Sequence, residues 1–193
     1  NFNIIVKDKK ELDKTKAKSL LRKWLNKNQY YRGGLEWAYK NVKPRIIVEQ
    51  ILKDEKTQDL IDYKFYCFHG EPKFLTTQSD SLGRHFYDLE WNRLPFSWRI
   101  HYKGSIEKPS TFETMKELAA KLADKLPFVR VDFYSVNDKV IFGEMTFYPT
   151  DGRDDFYPKE YNEIVGSYLK LPKLKPGQKE IKELSDWLMA NKR

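Results

Sequence analysis

The feature that most constrains this chain is a pair of apolar stretches, residues 128–136 and 140–148, separated only by Asn137-Asp138-Lys139. Both are rich in β-branched and aromatic residues, and the short polar break is hairpin-turn chemistry, so they read as two antiparallel strands. Two carboxylates, Asp132 and Glu144, interrupt the apolar pattern. A buried acid needs a cation or a metal ion beside it. The turn decides whether the two acids meet. A two-residue loop at Asn137-Asp138 opposes Asp132 to Gly143 and sends Glu144 to the other face. A three-residue loop, or a bulge, opposes 132 to 144. In that second register Arg130, Asp132, Glu144 and Thr146 share a face. Facing oxygen ligands of this kind suit Mg²⁺ bridging nucleotide phosphates. The same pattern also fits the solvent-exposed polar face of an ordinary hairpin.

The rest of the chain reads as α+β with mainly antiparallel strands. Residues 2–7 have strand character, and Leu12, Ala17, Leu20, Leu21, Trp24 and Leu25 recur at helical spacing behind Asp13, a fitting N-cap. Residues 45–52, after Pro44, form the most β-branched run. Residues 63–68 and 72–77 flank a turn at His69-Gly70-Glu71. Residues 78–110 look irregular and are rich in Trp, Tyr, His and Arg; connections this long usually carry function or move. Ser110 to Lys125 is a helix with the stripe Met115, Leu118, Ala119, Leu122 and Leu126, stopped by Pro127. A short helix is expected to end at Leu169. Beyond the Pro172 and Pro176-Gly177 breaks, an amphipathic helix is expected over 179–190, docking Ile181, Leu184, Trp187 and Leu188 on the body.

Composition excludes several classes. The chain has 193 residues, 40% hydrophobic, with 12 Tyr, 12 Phe and 5 Trp, enough for a sizeable core and unlike a disordered protein. No apolar run approaches the roughly 20 residues of a membrane span. One cysteine, Cys67, excludes an internal disulfide framework and a cysteine zinc site, and fits a reducing, cytoplasmic setting. The three histidines have no metal-ligand spacing, and there is no P-loop or Gly-x-Gly-x-x-Gly. The net charge of +8 suggests nucleic acid, but residues 1–30 and 170–193 together carry +10 while 31–169 carry −2. Charge placed that way forms solvated helix faces. It argues against a nucleic-acid partner, though the field would attract an anionic substrate.

A second constellation is Val48-Glu49-Gln50-Ile51 followed by Asp62-Tyr63-Lys64. Backbone at the strand end by Glu49 is suited to reading an adenine edge, and Lys64 to reaching phosphate; an edge-strand Glu and a surface Lys are the plainer readings. Lys7, after Ile4-Ile5-Val6, is equally unspecific alone. The order of these pieces resembles the ATP-grasp fold. Ile46 to Glu49, the run Asp62 to Phe74, Phe86-Tyr87-Asp88-Leu89-Glu90-Trp91-Asn92, and Pro127 to Asp132 with Phe142 to Phe147 resemble more closely the TupA-like (teichuronopeptide biosynthesis) ATP-grasp family, over about residues 1–172.

The resemblance implies an ATP-dependent carboxylate–amine ligase working through an acyl phosphate in bacterial cell-surface polysaccharide biosynthesis, with ATP and Mg²⁺. Its partners would be a nucleotide, an acidic sugar or polysaccharide acceptor and an amine donor. Residues 1–50 would be part of the ATP-grasp N-terminal subdomain. Residues 51–172 would be the C-terminal subdomain, with an insertion at 78–110, and 173–193 a linker and terminal helix. Lys7 would follow a glycine-rich phosphate loop, Glu49, Gln50 and Ile51 would form the adenine hinge, and Lys64 would reach phosphate. Asp132, Glu144 and Thr146 would hold Mg²⁺, and Arg130 would meet the transferred phosphoryl group. Residues 78–110, with Arg84, His85, Tyr87, Asp88, Trp91 and Trp98, would contribute to the acceptor site or form a structured insertion with its own small core. Two departures stand out. ATP-grasp enzymes usually carry Asn two residues after the metal-site Glu, and here it is Thr146, a weaker ligand. The glycine-rich loop has no counterpart in these residues, so the N-terminal part of the fold is expected upstream of Asn1, and this chain alone is expected to bind ATP weakly. The rival readings are a non-catalytic nucleotide- or glycan-binding module and a glycosyltransferase-associated domain.

Overall fold

Five stretches pair into one antiparallel sheet in the order β3-β2-β1-β4-β5: β1 Asp62–Phe68, β2 Glu71–Ser79, β3 Gly83–Tyr87, β4 Phe128–Val136 and β5 Lys139–Thr146. The structure is a computed structural model and describes residues 2–31, 34–55, 59–98, 102, 104–171, 173–174, 176–177 and 179. The chain divides into two compact units, Asn1–Leu52 and Lys53–Arg193, and the sheet lies in the second.

β1 is central, paired with β2 on one side and β4 on the other, and every residue from Tyr63 to Phe68 is buried. Its turn into β2 uses His69 (φ 53°) and Gly70 (φ 84°). Both being left-handed matches the twist of a two-residue hairpin loop. Asn137 (φ 50°) and Asp138 (φ 59°) do the same between β4 and β5, where Val136 faces Lys139.

Alternation along the strands makes two different faces. One face carries Phe65, Cys67, Leu75, Val129, Val131 and Phe133 and packs on helix α2, Phe112–Ala123, which buries Phe112, Met115, Ala119 and Ala123 against them. The Cys67 thiol, fully buried there, is pushed up to about 12 by desolvation. The stripe expected at Leu122 shifts by one: Leu122 is 39% exposed, and Ala123 faces the sheet instead. The β1–β2 turn packs on that end of the helix, with Gly70 against the Ala123–Lys125 backbone, so a small residue fits. The opposite face is apolar at one end. There Tyr66, Phe68, Phe74 and Phe86 pack with Phe96 and with Val165 of α3, Glu160–Gly166. At its other end the same face is polar.

The segment expected to be irregular, 78–110, contains the end of β2 and all of β3. Polar residues concealed the alternation: Arg84 and Phe86 face one side, while His85 and Tyr87 face the other. His85 is buried, held by Arg93 Nη1 at 2.6 Å and the Leu82 carbonyl at 2.9 Å.

The first unit holds helix α1, Lys14–Leu25, capped by the Asp13 carboxylate, which accepts from the Lys16 N–H at 2.9 Å. Phe2 packs on Trp24 with ring centroids 5.4 Å apart, and Lys40 Nζ lies 4.3 Å from the Trp37 ring. The strands expected at 2–7 and 45–52 are not formed; Ile47 and Val48 are 79% and 91% exposed. Branched residues favour extended backbone, but a strand also needs a partner ladder, and this unit offers none among its described residues. The helix expected at 179–190 lies outside the described residues. No helix among the described residues is long and apolar enough to cross a membrane.

Candidate functional site

The β4–β5 hairpin resolves the register question by the bulge rather than by a three-residue loop. Its turn has two residues, which alone would oppose Asp132 to Gly143. The pairing then slips: Phe133 faces Phe142, yet Val131 faces Met145, so β5 carries one extra residue there. This bulge returns Glu144 to the face of Asp132. Gly143 sits in it, and a Cβ at that position would lie 3.0 Å from the Asp132 carbonyl oxygen. A side chain there would crowd backbone that cannot easily yield.

Cross-strand register now lines up three polar or aromatic rows on one face. Arg84, Gln78, Asp62 and Tyr134 make the first, Phe86, Thr76, Lys64 and Asp132 the second, and Phe74, Tyr66, Arg130 and Thr146 the third. The second and third converge on an ion-pair network. Arg130 donates from Nε to Asp132 Oδ1 (2.7 Å) and from Nη2 to Asp132 Oδ2 (2.6 Å), Glu144 Oε1 (2.9 Å) and Thr146 Oγ1 (2.9 Å). Lys64 Nζ donates to Asp132 Oδ2 at 2.8 Å and also to Asp62. The Thr146 hydroxyl donates to Glu144 Oε1 at 3.0 Å.

Burial grades this network. Asp132 is 2% exposed, while the Glu144 side chain is 62% exposed. Desolvation opposes the charge on Arg130, but the Asp132 bonds and field outweigh it, and the guanidinium is held more firmly protonated than usual. Asp62 goes the other way. Desolvation raises its carboxyl above the ordinary range, against the pull of Lys64, and its Oδ1 is buried with no hydrogen-bond partner among the described residues. Burial likewise pushes the Tyr66 hydroxyl up to about 12.

Two cations, Lys64 and Arg130, thus face three carboxyl groups, Asp62, Asp132 and Glu144. Among the described residues no group of three or more His, Cys, Asp or Glu is placed to hold a metal ion unaided. Asp132, Glu144 and Thr146 do present an all-oxygen set. That set fits Mg²⁺, which commonly takes one or two carboxylates and fills its other positions with phosphate oxygens and water.

Of the residues expected from sequence, the structure gathers Lys64, Arg130, Asp132, Glu144 and Thr146 on one sheet face. Lys7, Glu49, Gln50 and Ile51 belong to the first unit, on exposed chain outside any strand. Glu49 to Ile51 therefore do not end a strand, because 45–52 has no ladder partner among the described residues. Asp62 joins the network without a role legible in the sequence motif. Its spacing of two from Lys64 was the available signal, since in a strand i and i+2 share a face.

Neither the curated proteins nor the solved structures compared with the chain include a match. A family model described as TupA-like ATPgrasp matches residues 2–170, which take in the whole sheet, α2 and the ion-pair network. On that match the chain belongs to the TupA-like ATP-grasp family, which carries nucleotide binding and ATP-dependent, ligase-like chemistry.

Proposed function

We propose that the chain is an ATP- and Mg²⁺-dependent carboxylate–amine ligase of bacterial cell-surface polysaccharide biosynthesis, working in the cytoplasm. In this reading a carboxylate takes the γ-phosphoryl group of ATP to give an acyl phosphate. An amine then displaces phosphate at the acyl carbon and loses a proton. Residues 1–50 would belong to the N-terminal ATP-grasp subdomain, residues 51–172 to the C-terminal one, and 173–193 to a linker and helix.

The observation that carries the reading is the Lys64–Asp132–Arg130–Glu144–Thr146 network, a mixed-charge cluster on a rigid sheet inside the region of the family match. Bound at Asp132, Glu144 and Thr146, Mg²⁺ would neutralise charge between phosphates. Lys64 supplies a point charge for phosphate, and Arg130 a planar donor for anionic phosphoryl oxygens. Asp132 fixes both cations at 2.6–2.8 Å, so their placement precedes any ligand. Glu49 to Ile51 are proposed to receive the adenine, and Lys7 to act near phosphate.

Calorimetric titration with a non-hydrolysable ATP analogue tests this. Binding should require Mg²⁺ and weaken at least tenfold in Glu144→Gln, an exposed position where stability is spared. Equal binding with and without Mg²⁺ would refute the metal role. That outcome would favour the second reading, a non-catalytic nucleotide- or glycan-binding module, which draws on Thr146 as a weak ligand and on both Asp132 oxygens being engaged by cations.

A further inference from the structure

On the same sheet face, over the β2–β3 hairpin, lies a cavity of about 430 Å³. Its walls include Arg84, Trp98, Tyr102, Asp80, Asp154 and Asp155. Arg84 is the anchor. Its guanidinium stacks on Trp98 with Cζ 4.2 Å from the ring centroid, and Nη2 donates to Gln78. Its Nε is buried with no hydrogen-bond partner among the described residues. Buried donors are nearly always satisfied, so an orphaned one on a side chain lining a cavity calls for a ligand acceptor. A stacked, pre-oriented guanidinium is suited to a carboxylate.

The pocket is not simply an anion site. Three carboxylates, Asp80, Asp154 and Asp155, stand on its described walls against the single guanidinium. That balance disfavours a polyanion and suits a ligand with its own positive charge. The cavity is shaped on purpose by Gly83 (φ +74°), where a Cβ would fall 2.1 Å from the Tyr102 ring. Any side chain there would displace that aromatic wall.

We propose that this cavity binds a small amino-carboxylate, a free α-amino acid, with its carboxylate on Arg84 and its ammonium among Asp80, Asp154 and Asp155. Arg84 stands opposite Gln78, and Gln78 opposite Asp62, so the pocket and the ion-pair network are two strand spacings apart, about 10 Å at 4.8 Å per strand. That span is within reach of one extended substrate. The assignment rests on the ligase reading for its meaning, since it places the amine donor. It does not rest on that reading for its test.

The test is saturation-transfer NMR on the 193-residue chain without nucleotide, using L-alanine, L-glutamate, L-lysine and L-phenylalanine as probes, with glucosamine as an amine lacking a carboxylate. At least one amino acid should saturate. It should weaken tenfold or more as its N-acetyl derivative, as its methyl ester, and in Arg84→Gln. Asp154→Asn, on a loop, gives the same loss without touching the sheet, and so covers a failure of Arg84→Gln to fold. Gly83→Ala should also weaken binding. The proposal is overturned if none of the four amino acids binds, if glucosamine binds in preference, or if binding ignores both Arg84→Gln and Asp154→Asn. An amino acid that binds while titration of the ATP analogue shows no dependence on Mg²⁺ upholds the pocket and refutes the metal role in the ligase reading; Mg²⁺-dependent analogue binding with no amino acid bound refutes the pocket alone.

Discussion

Replacing Asp132 by Asn should separate stability from surface chemistry in the ion-pair network. The carboxylate is 2% exposed and accepts from Arg130 Nε, Arg130 Nη2 and Lys64 Nζ at 2.6–2.8 Å. The amide keeps the shape but removes the charge and points an NH₂ at groups that only donate. Breaking a buried pair from one side costs about 3–5 kcal/mol, because the partner charges stay behind. Here Lys64 keeps Asp62, and Arg130 keeps Glu144 and Thr146, so the lower end applies, about 3 kcal/mol. At ~3 °C per kcal/mol for a chain of this size, Tm should fall by about 10 °C. Glu144→Gln removes a partner whose side chain is 62% exposed, and should cost no more than about 1 kcal/mol. Urea unfolding followed by far-UV circular dichroism measures both. The double variant Arg130→Met, Asp132→Leu should recover much of the loss, since an apolar pair of similar size leaves no stranded guanidinium. The reasoning fails if Asp132→Asn lies within 1 kcal/mol of wild type, or if Glu144→Gln costs as much.

Three further outcomes follow from the geometry. Gly143→Ala should destabilise by about 1–2 kcal/mol by crowding the Asp132 carbonyl, and should weaken Mg²⁺-dependent nucleotide binding as Glu144 shifts; urea unfolding and calorimetry on the one variant would show it. Met115→Ala, at a fully buried position between α2 and the sheet, should cost about 2–5 kcal/mol in the same unfolding measurement. Asp62, its carboxyl raised by desolvation, holds its proton in the folded state after the unfolded chain has released it near 3.8. Its contribution to stability is therefore present at low pH and is lost as pH rises from about that value through the folded pKa. Asp62→Asn should remove this fall, so its stability relative to wild type should improve across that window; an unchanged pH profile would contradict the assignment.

Much of this architecture is local chemistry and was legible from residues alone. The Asp13 cap, the α2 stripe from Met115 to Ala119, and the places of the two turns, at His69-Gly70-Glu71 and Asn137-Asp138-Lys139, depend on neighbours a few positions away, and the chain carries those neighbours with it. Acids in apolar strands marked Asp132 and Glu144 for the same reason. What depends on a distant partner could be decided only by the tertiary structure. Residues 45–52 have the composition of a strand yet form none among the described residues, because pairing is a property of two segments and not of one. Arg84 to Tyr87 joined the sheet because β2 offered its edge, although polar residues masked the period. The register of Glu144 turned on a single extra residue at Gly143, a choice between two faces that the turn alone would have made the other way. The sequence determined which residues could share a site; long-range pairing, by adding one bulge and supplying Lys64 from a strand 68 positions away, decided that they do.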